Sequence, residues 1–197
     1  MNYREKLNQL IKQHHGTVLS SDLDKLEIPR TYLGIMVSEG KLEKVNRGVY
    51  VSTDSIEDKM YAMQSKYLKL IYSHETALYL HGLSNRTPFE YTATVPSGYK
   101  VVENISEYFK IYYIKKELHD LGVIDGITSF GNVIKVYNVE RTICDITRSK
   151  NRIDIQIFNE AMKRLVKMKS VDYLLLMEYA KKLKVENTIK NHLEMLL

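Results

Sequence analysis

The chain has 197 residues, enough for one large or two small domains, and 44% of them are hydrophobic, an ordinary globular fraction. A net charge of +5 mildly favours an anionic partner and falls far short of a protein that coats DNA indiscriminately. One cysteine excludes an internal disulfide and suits a reducing cytosol, no apolar run can span a bilayer, and Asn2 to Lys6 do not read as a signal peptide, so a cytoplasmic protein without membrane contact is expected.

The first predicted element is an amphipathic helix from Tyr3 to His14, because Tyr3, Leu7, Leu10 and Ile11 recur on one helical face. Gly16 ends it. His14 and His15, near its C-terminus, read as surface residues compatible with the helix dipole. Thr17 and Val18 form a short extended piece. A second helix is expected over residues 21–26, N-capped by Ser20 or Ser21, with Asp22 and Asp24 in its first turn and Leu23 and Leu26 on one face. Glu27 and Ile28 break that pattern. Pro29 then suits the first position of a third helix, and Ile28 before it is pushed towards extended geometry.

The third helix would run from Pro29 to Glu39, burying Leu33, Met36 and Val37 and leaving Arg30, Thr31, Gly34 and Ser38 on the opposite face. Gly34 costs about 1 kcal/mol relative to alanine in a helix, and its place would let DNA or another helix come close. Gly40 ends the helix. Residues 41–52 read as a hairpin with apolar Leu42, Val45, Val49 and Val51 and a turn at Asn46-Arg47-Gly48. Helix, turn, helix and basic ribbon in this order are the pattern of a winged helix-turn-helix, which puts one helix into the DNA major groove and the ribbon on the flanking backbone. The expected DNA contacts are Ser21, Arg30, Thr31, Tyr32, Lys41, Lys44, Asn46 and Arg47. Arg30 and Thr31 would meet base edges, and Lys44 and Arg47 phosphates or a minor groove.

Ser52 to Ser55 is a polar link, so the sequence divides into a DNA-binding domain over 1–52 and a second domain over 53–197. In the second part, a helix capped by Ser55, with Asp58 in a capping-box position, leads to another from Ser73 to His81. Strands are expected at 92–95, 109–114, 122–125 and 132–139, and helices at 138–149, 155–165, 171–183 and 185–197. The fold class is α+β: an N-terminal winged helix-turn-helix followed by a larger mixed α+β domain.

His74-Glu75 invites a zinc reading, but Leu78 stands where the second histidine of that motif belongs, and His81 lies about 10.5 Å further along a helix. His74 and Glu75 instead begin a buried helix in which Ala77, Leu78 and Leu80 pack. Glu140 with Arg141, and Asp145 with Arg148, read as local ion pairs or helix-start charges, and Cys144 as a small buried hydrophobe. No phosphate loop, nucleophile elbow or Cys-His zinc spacing is present, so neither catalysis nor a metal or other cofactor is expected.

Four stretches together resemble the AbiEi-type antitoxins of type IV (abortive infection) toxin–antitoxin operons: GKLEKVNRGVY at 40–50, HETALYLHGLSNRTP at 74–88, TVPSGY at 94–99 and VERTICDI at 139–146. The resemblance covers about 16–148 and implies a repressor that binds inverted repeats in its own promoter. It also implies a second domain that counters a nucleotidyltransferase-like toxin without a stable complex. Arg148, Lys150 and Arg152, followed by Lys163, Arg164, Lys167 and Lys169, form a basic cluster that the resemblance makes a candidate antitoxin surface. A monomer assembling in pairs on DNA is expected, because no heptad marks a constitutive dimer. Two alternatives stay open: a ligand-responsive transcription factor, and a DNA-binding nuclease using Glu75, Glu140 or Asp145 with a metal.

Overall fold

The computed structural model describes residues 2–101 and 109–196. It is mixed α and β, as expected, and divides into two compact units, Met1–Leu68 with Ile127–Ile134, and Lys69–Gly126 with Lys135–Leu197.

The first unit opens with α1 (Tyr3–Gln13), capped by Asn2, whose side chain accepts from Arg4 N while Glu5 reaches back to the Asn2 amide. Strand β1 (Thr17–Leu19) leads directly into α2 (Ser20–Lys25). That helix starts one residue earlier than expected. Leu19 occupies the cap and has no capping side chain, so the Asp22 carboxylate takes the Leu19 amide instead. Helix α3 (Thr31–Ser38) starts later than expected, with Arg30 rather than Pro29 at its boundary. Leu33 and Met36 are buried as expected, but Val37 is exposed, because the eight-residue helix lays only a narrow stripe on the core. The core joins Leu7 and Leu10 of α1, Leu23 of α2, and Leu33 and Met36 of α3 to Val18, Ile28 and Leu42.

Strands β2 (Leu42–Asn46) and β3 (Val49–Ser52) close a three-stranded antiparallel sheet in the order β1-β3-β2. The β2–β3 register slips between Lys44 and Asn46, so Val45 is the bulged residue and is exposed, contrary to its expected inward position. Gly48, at φ +76, makes the turn.

The compact division falls after Leu68 rather than near Ser52, because α4 (Lys59–Lys66) packs Ala62 on Leu19 and Val49. Its cap is Asp58, not Ser55, and Asp58 is a buried hub. One carboxylate oxygen accepts from Tyr61 N, the other from Thr128 Oγ1 at 2.5 Å and Asn132 Nδ2 at 2.9 Å, and its own amide donates to Thr17 Oγ1. His14 is not a free surface residue either. Its Nδ1 lies 3.0 Å from Asn132 Oδ1, and its ring stacks on Tyr61.

The second unit holds a five-stranded sheet in the order β6-β5-β4-β8-β7, from β4 (Ile71–Tyr72), β5 (Tyr91–Pro96), β6 (Phe109–Ile114), β7 (Val123–Ile127) and β8 (Val133–Tyr137). The tip of the β7–β8 hairpin, 127–134, belongs to the first unit. Strand β4 runs antiparallel to β5 and parallel to β8, and β5 is parallel to β6. Strand β4 and the short α6 (Lys116–His119) escape sequence reading, being two and four residues long. Helices α5 (His74–Leu80), α7 (Val139–Arg148), α8 (Ile155–Leu165), α9 (Tyr173–Lys182) and α10 (Glu186–Leu196) surround a core that includes Leu78, Ile143, Phe158, Leu165, Leu176 and Ile189. Among the described residues, no helix is long and apolar enough to cross a membrane.

Candidate nucleic-acid interface and second-unit pocket

Helix α3 turns Thr31, Gly34 and Ser38 to solvent, together with Ile35 and Val37. Nothing lies within 4 Å of where a Cβ on Gly34 would stand, so that position is open. Ser21 and Arg30 are exposed and Tyr32 is half-buried, its ring edge-on to Tyr3 at 5.6 Å between centroids. Arg30 is held by Asp24 of α2, Nε to Oδ1 at 2.9 Å and Nη2 to Oδ2 at 2.5 Å. That hydrogen-bonded pairing holds the Asp24 carboxyl below the usual aspartate range and raises the arginine.

On the ribbon, Lys41 Nζ pairs with Glu39 at 2.8 Å, and Arg4 pairs with the same carboxylate. Asn46 Oδ1 accepts from the Arg47 amide and shapes the turn. Lys44 and Arg47 are exposed and form no ion pair with the described residues. The four cations among the expected DNA residues thus fall into two kinds: those held by an acid (Arg30, Lys41) and those exposed with no ion pair among the described residues (Lys44, Arg47).

In the second unit, the residues of the basic cluster have different local partners. Arg148 is exposed and points Nη2 at Tyr113 O, 3.4 Å away. Lys150 is half-buried, 3.1 Å from His192 Nε2 and over the Phe158 ring. Arg152 is exposed and lies over the Tyr112 ring at 4.7 Å. On α8, Arg164 pairs with Glu160 and donates to Gly82 O, while Lys163 and Lys167 stay exposed.

His74 is buried, as expected, and sits at φ +49 in a polar array that sequence reasoning missed. Thr94 Oγ1 lies 2.8 Å from Ser73 Oγ, which lies 2.9 Å from His74 Nδ1, and His74 Nε2 lies 3.1 Å from Ser149 Oγ. The His74 ring stacks on Tyr112 at 3.5 Å. Burial, with Arg148, Arg141, Lys110 and Arg152 nearby, pushes the His74 pKa well down, so the ring is neutral.

The local pairs expected on α7 are replaced by another. Arg141, fully buried, donates Nε to Asp145 Oδ2 at 3.1 Å and Nη1 to Leu118 O and Leu121 O. Glu140 accepts from the Asp172 amide instead of from Arg141. The i, i+4 pair wins because both members face inward, where each needs a partner. Cys144 is buried, its thiol pushed up to about 12 by burial, as a structural cysteine should be. No group of three His, Cys, Asp or Glu side chains that could hold a metal occurs among the described residues, so Glu75, Glu140 and Asp145 do not converge.

Residues 5–53 match the family model described as transcriptional regulator, AbiEi antitoxin. The segment is AbiEi-like. It runs from within α1 through β3 and contains all eight expected DNA contacts, and the match supports an antitoxin or regulator role. The crystal structure of the Rv2827c protein from Mycobacterium tuberculosis is similar over 98% of this chain and 80% of that one, with a TM-score of 0.61 and 11% identity. At that identity the likeness concerns the fold alone. No curated protein matches the sequence.

Proposed function

We propose that the chain is an antitoxin that represses its own operon through a winged helix-turn-helix in the first unit. Two copies assemble on an inverted repeat in the promoter, each setting α3 in the major groove and the β2–β3 ribbon on adjacent backbone. The observation that carries this reading is the pair of exposed ribbon cations, Lys44 and Arg47, which form no ion pair among the described residues and lie on the same AbiEi-like segment as the exposed Arg30–Thr31 end of α3. Cations without protein partners are suited to phosphate, because binding releases counterions and breaks no internal bond. Ser21, Tyr32, Lys41 and Asn46 complete the proposed contact set.

The second part of the chain, from residue 53 in this proposal, counters a nucleotidyltransferase-like toxin without binding it stably. Arg148 and Arg152, with the half-buried Lys150, supply the positive surface, since a toxin acting on nucleotides or RNA handles anions that such a surface also attracts. The test joins promoter footprinting with co-expression of the neighbouring toxin gene. Protection of an inverted repeat, lost in Lys44→Ala/Arg47→Ala while toxin rescue persists, is the expected result. Absence of protection anywhere upstream of the gene would refute the repressor reading.

A further inference from the structure

Helix α3 carries no charged residue, although one side of it faces water. Leu33 and Met36 hold one side in the core. The opposite side sets Thr31, Gly34, Ile35 and Ser38 on a single exposed stripe, at i, i+3, i+4 and i+7. Ile35 is 45% exposed in the middle of that stripe. Val37, the other exposed apolar residue of the helix, stands one turn after Leu33, beside the buried stripe rather than opposite it.

Three observations bear on what meets Ile35. The first is Gly34, which weakens a helix without being required by this fold. Its backbone is ordinary helix, and no atom lies within 4 Å of where its Cβ would stand. A bare backbone beside Ile35 therefore serves an incoming surface rather than internal packing. The second is Ser38, whose Oγ donates to Ile35 O at 2.8 Å, so the hydroxyl proton turns back into the helix and the stripe is small and apolar around Ile35. The third is charge. The cations Arg30, Lys41, Lys44 and Arg47 flank α3 from its entrance and from the ribbon, while the flanking acids Asp24 and Glu39 are each held by a cation. An uncharged stripe edged by cations suits a polyanion that presents an apolar group at its floor.

In the DNA major groove, the one methyl group on a base edge is that of thymine. We propose that Ile35 reads a thymine methyl in each half-site, with Gly34 letting the base pair approach the helix. This rests on the repressor reading and adds to it a specificity-determining residue. A β-branched side chain in a helix holds one strongly preferred rotamer, so Ile35 meets the methyl with little freedom left to lose.

The experiment measures binding of the full chain to its promoter fragment with thymidine replaced by deoxyuridine, first throughout and then one position at a time. Deoxyuridine keeps the base pair and removes only the methyl. The thymine at Ile35 should show itself as a position where uracil weakens binding about fourfold, the cost of returning one methyl group to water. Ile35→Ala should bind thymine and uracil equally at that position and keep any sensitivity elsewhere. Gly34→Leu, at an open position and with a better helix former, should fold and yet lose at least about tenfold in affinity. Indifference of the parent chain to uracil at every position, uracil effects that persist unchanged in Ile35→Ala, or parent-like binding by Gly34→Leu would each overturn the inference while leaving the repressor reading in place. Failure to bind the promoter fragment in either form would overturn both.

Discussion

Arg30, at the entrance to α3, is held by Asp24 of α2 in a fork of two parallel hydrogen bonds. The same fork is the geometry in which an arginine reads guanine O6 and N7. In the proposed complex, Asp24 both orients the guanidinium and competes with a base for it. Asp24→Asn should raise operator affinity about two- to fivefold, because an exposed ion pair is worth little and its loss frees the arginine and removes a negative charge beside DNA. Arg30→Ala should cost about 5- to 150-fold and relax preference at one base position. Fluorescence anisotropy against an operator library checks both. Equal loss across all sequences for Arg30→Ala would make it a phosphate contact only.

Lys44 and Arg47 should each lower the slope of log affinity against log salt by about 0.9 when changed to alanine. Lys41→Ala should lower it less, because Lys41 already has Glu39 as its counter-charge and releases fewer ions on binding. Titrations between low and moderate salt give the three slopes. Equal slopes for all three variants would contradict the distinction.

Removing one member of the buried Arg141–Asp145 pair should cost about 3–5 kcal/mol, because it strands an uncompensated charge. Arg141→Met alone should therefore be more damaging than Arg141→Met with Asp145→Leu, which removes both charges. Urea unfolding of the two variants measures this, and additive losses would show that the pair is not coupled.

Stability should fall as pH drops through the ordinary histidine range, near 6.5. His74 is depressed in the folded state by burial and by the cations around it, and His81 by burial, which outweighs its hydrogen bond to Tyr137 O. The unfolded chain then binds protons that the folded chain refuses, at up to about 1.4 kcal/mol per pH unit for each group. His74→Gln should flatten this loss in chemical unfolding between pH 7 and 5. An unchanged slope would mean that His74 does not report the titration.

Alanine at Arg148 and Arg152 should abolish rescue from the toxin while footprinting and melting temperature stay as in the parent chain. Both side chains are exposed, so the fold should tolerate the change. Full rescue by the folded double variant would remove this surface from the antitoxin function.

Local chemistry made much of the chain legible. The helices α8 and α7 stand within a residue or so of their expected limits, because Asp154 and Asn138 are strong caps ahead of clear helical periodicity. The ribbon turn and the ends of α1 and α3 were equally readable from Gly16, Gly40 and Gly48. Val45 was misplaced because alternation assumes an unbroken register, and a bulge is a property of two strands rather than one. Asp58, His14 and Asn132 looked like ordinary polar residues. Only the fold joins a helix cap, a helix end and a hairpin tip that are far apart in sequence. The same holds for the partners of Arg30 and Arg141. Spacing along a chain fixes which faces are apolar, but which charge meets which is decided when segments are brought within a few ångströms of one another.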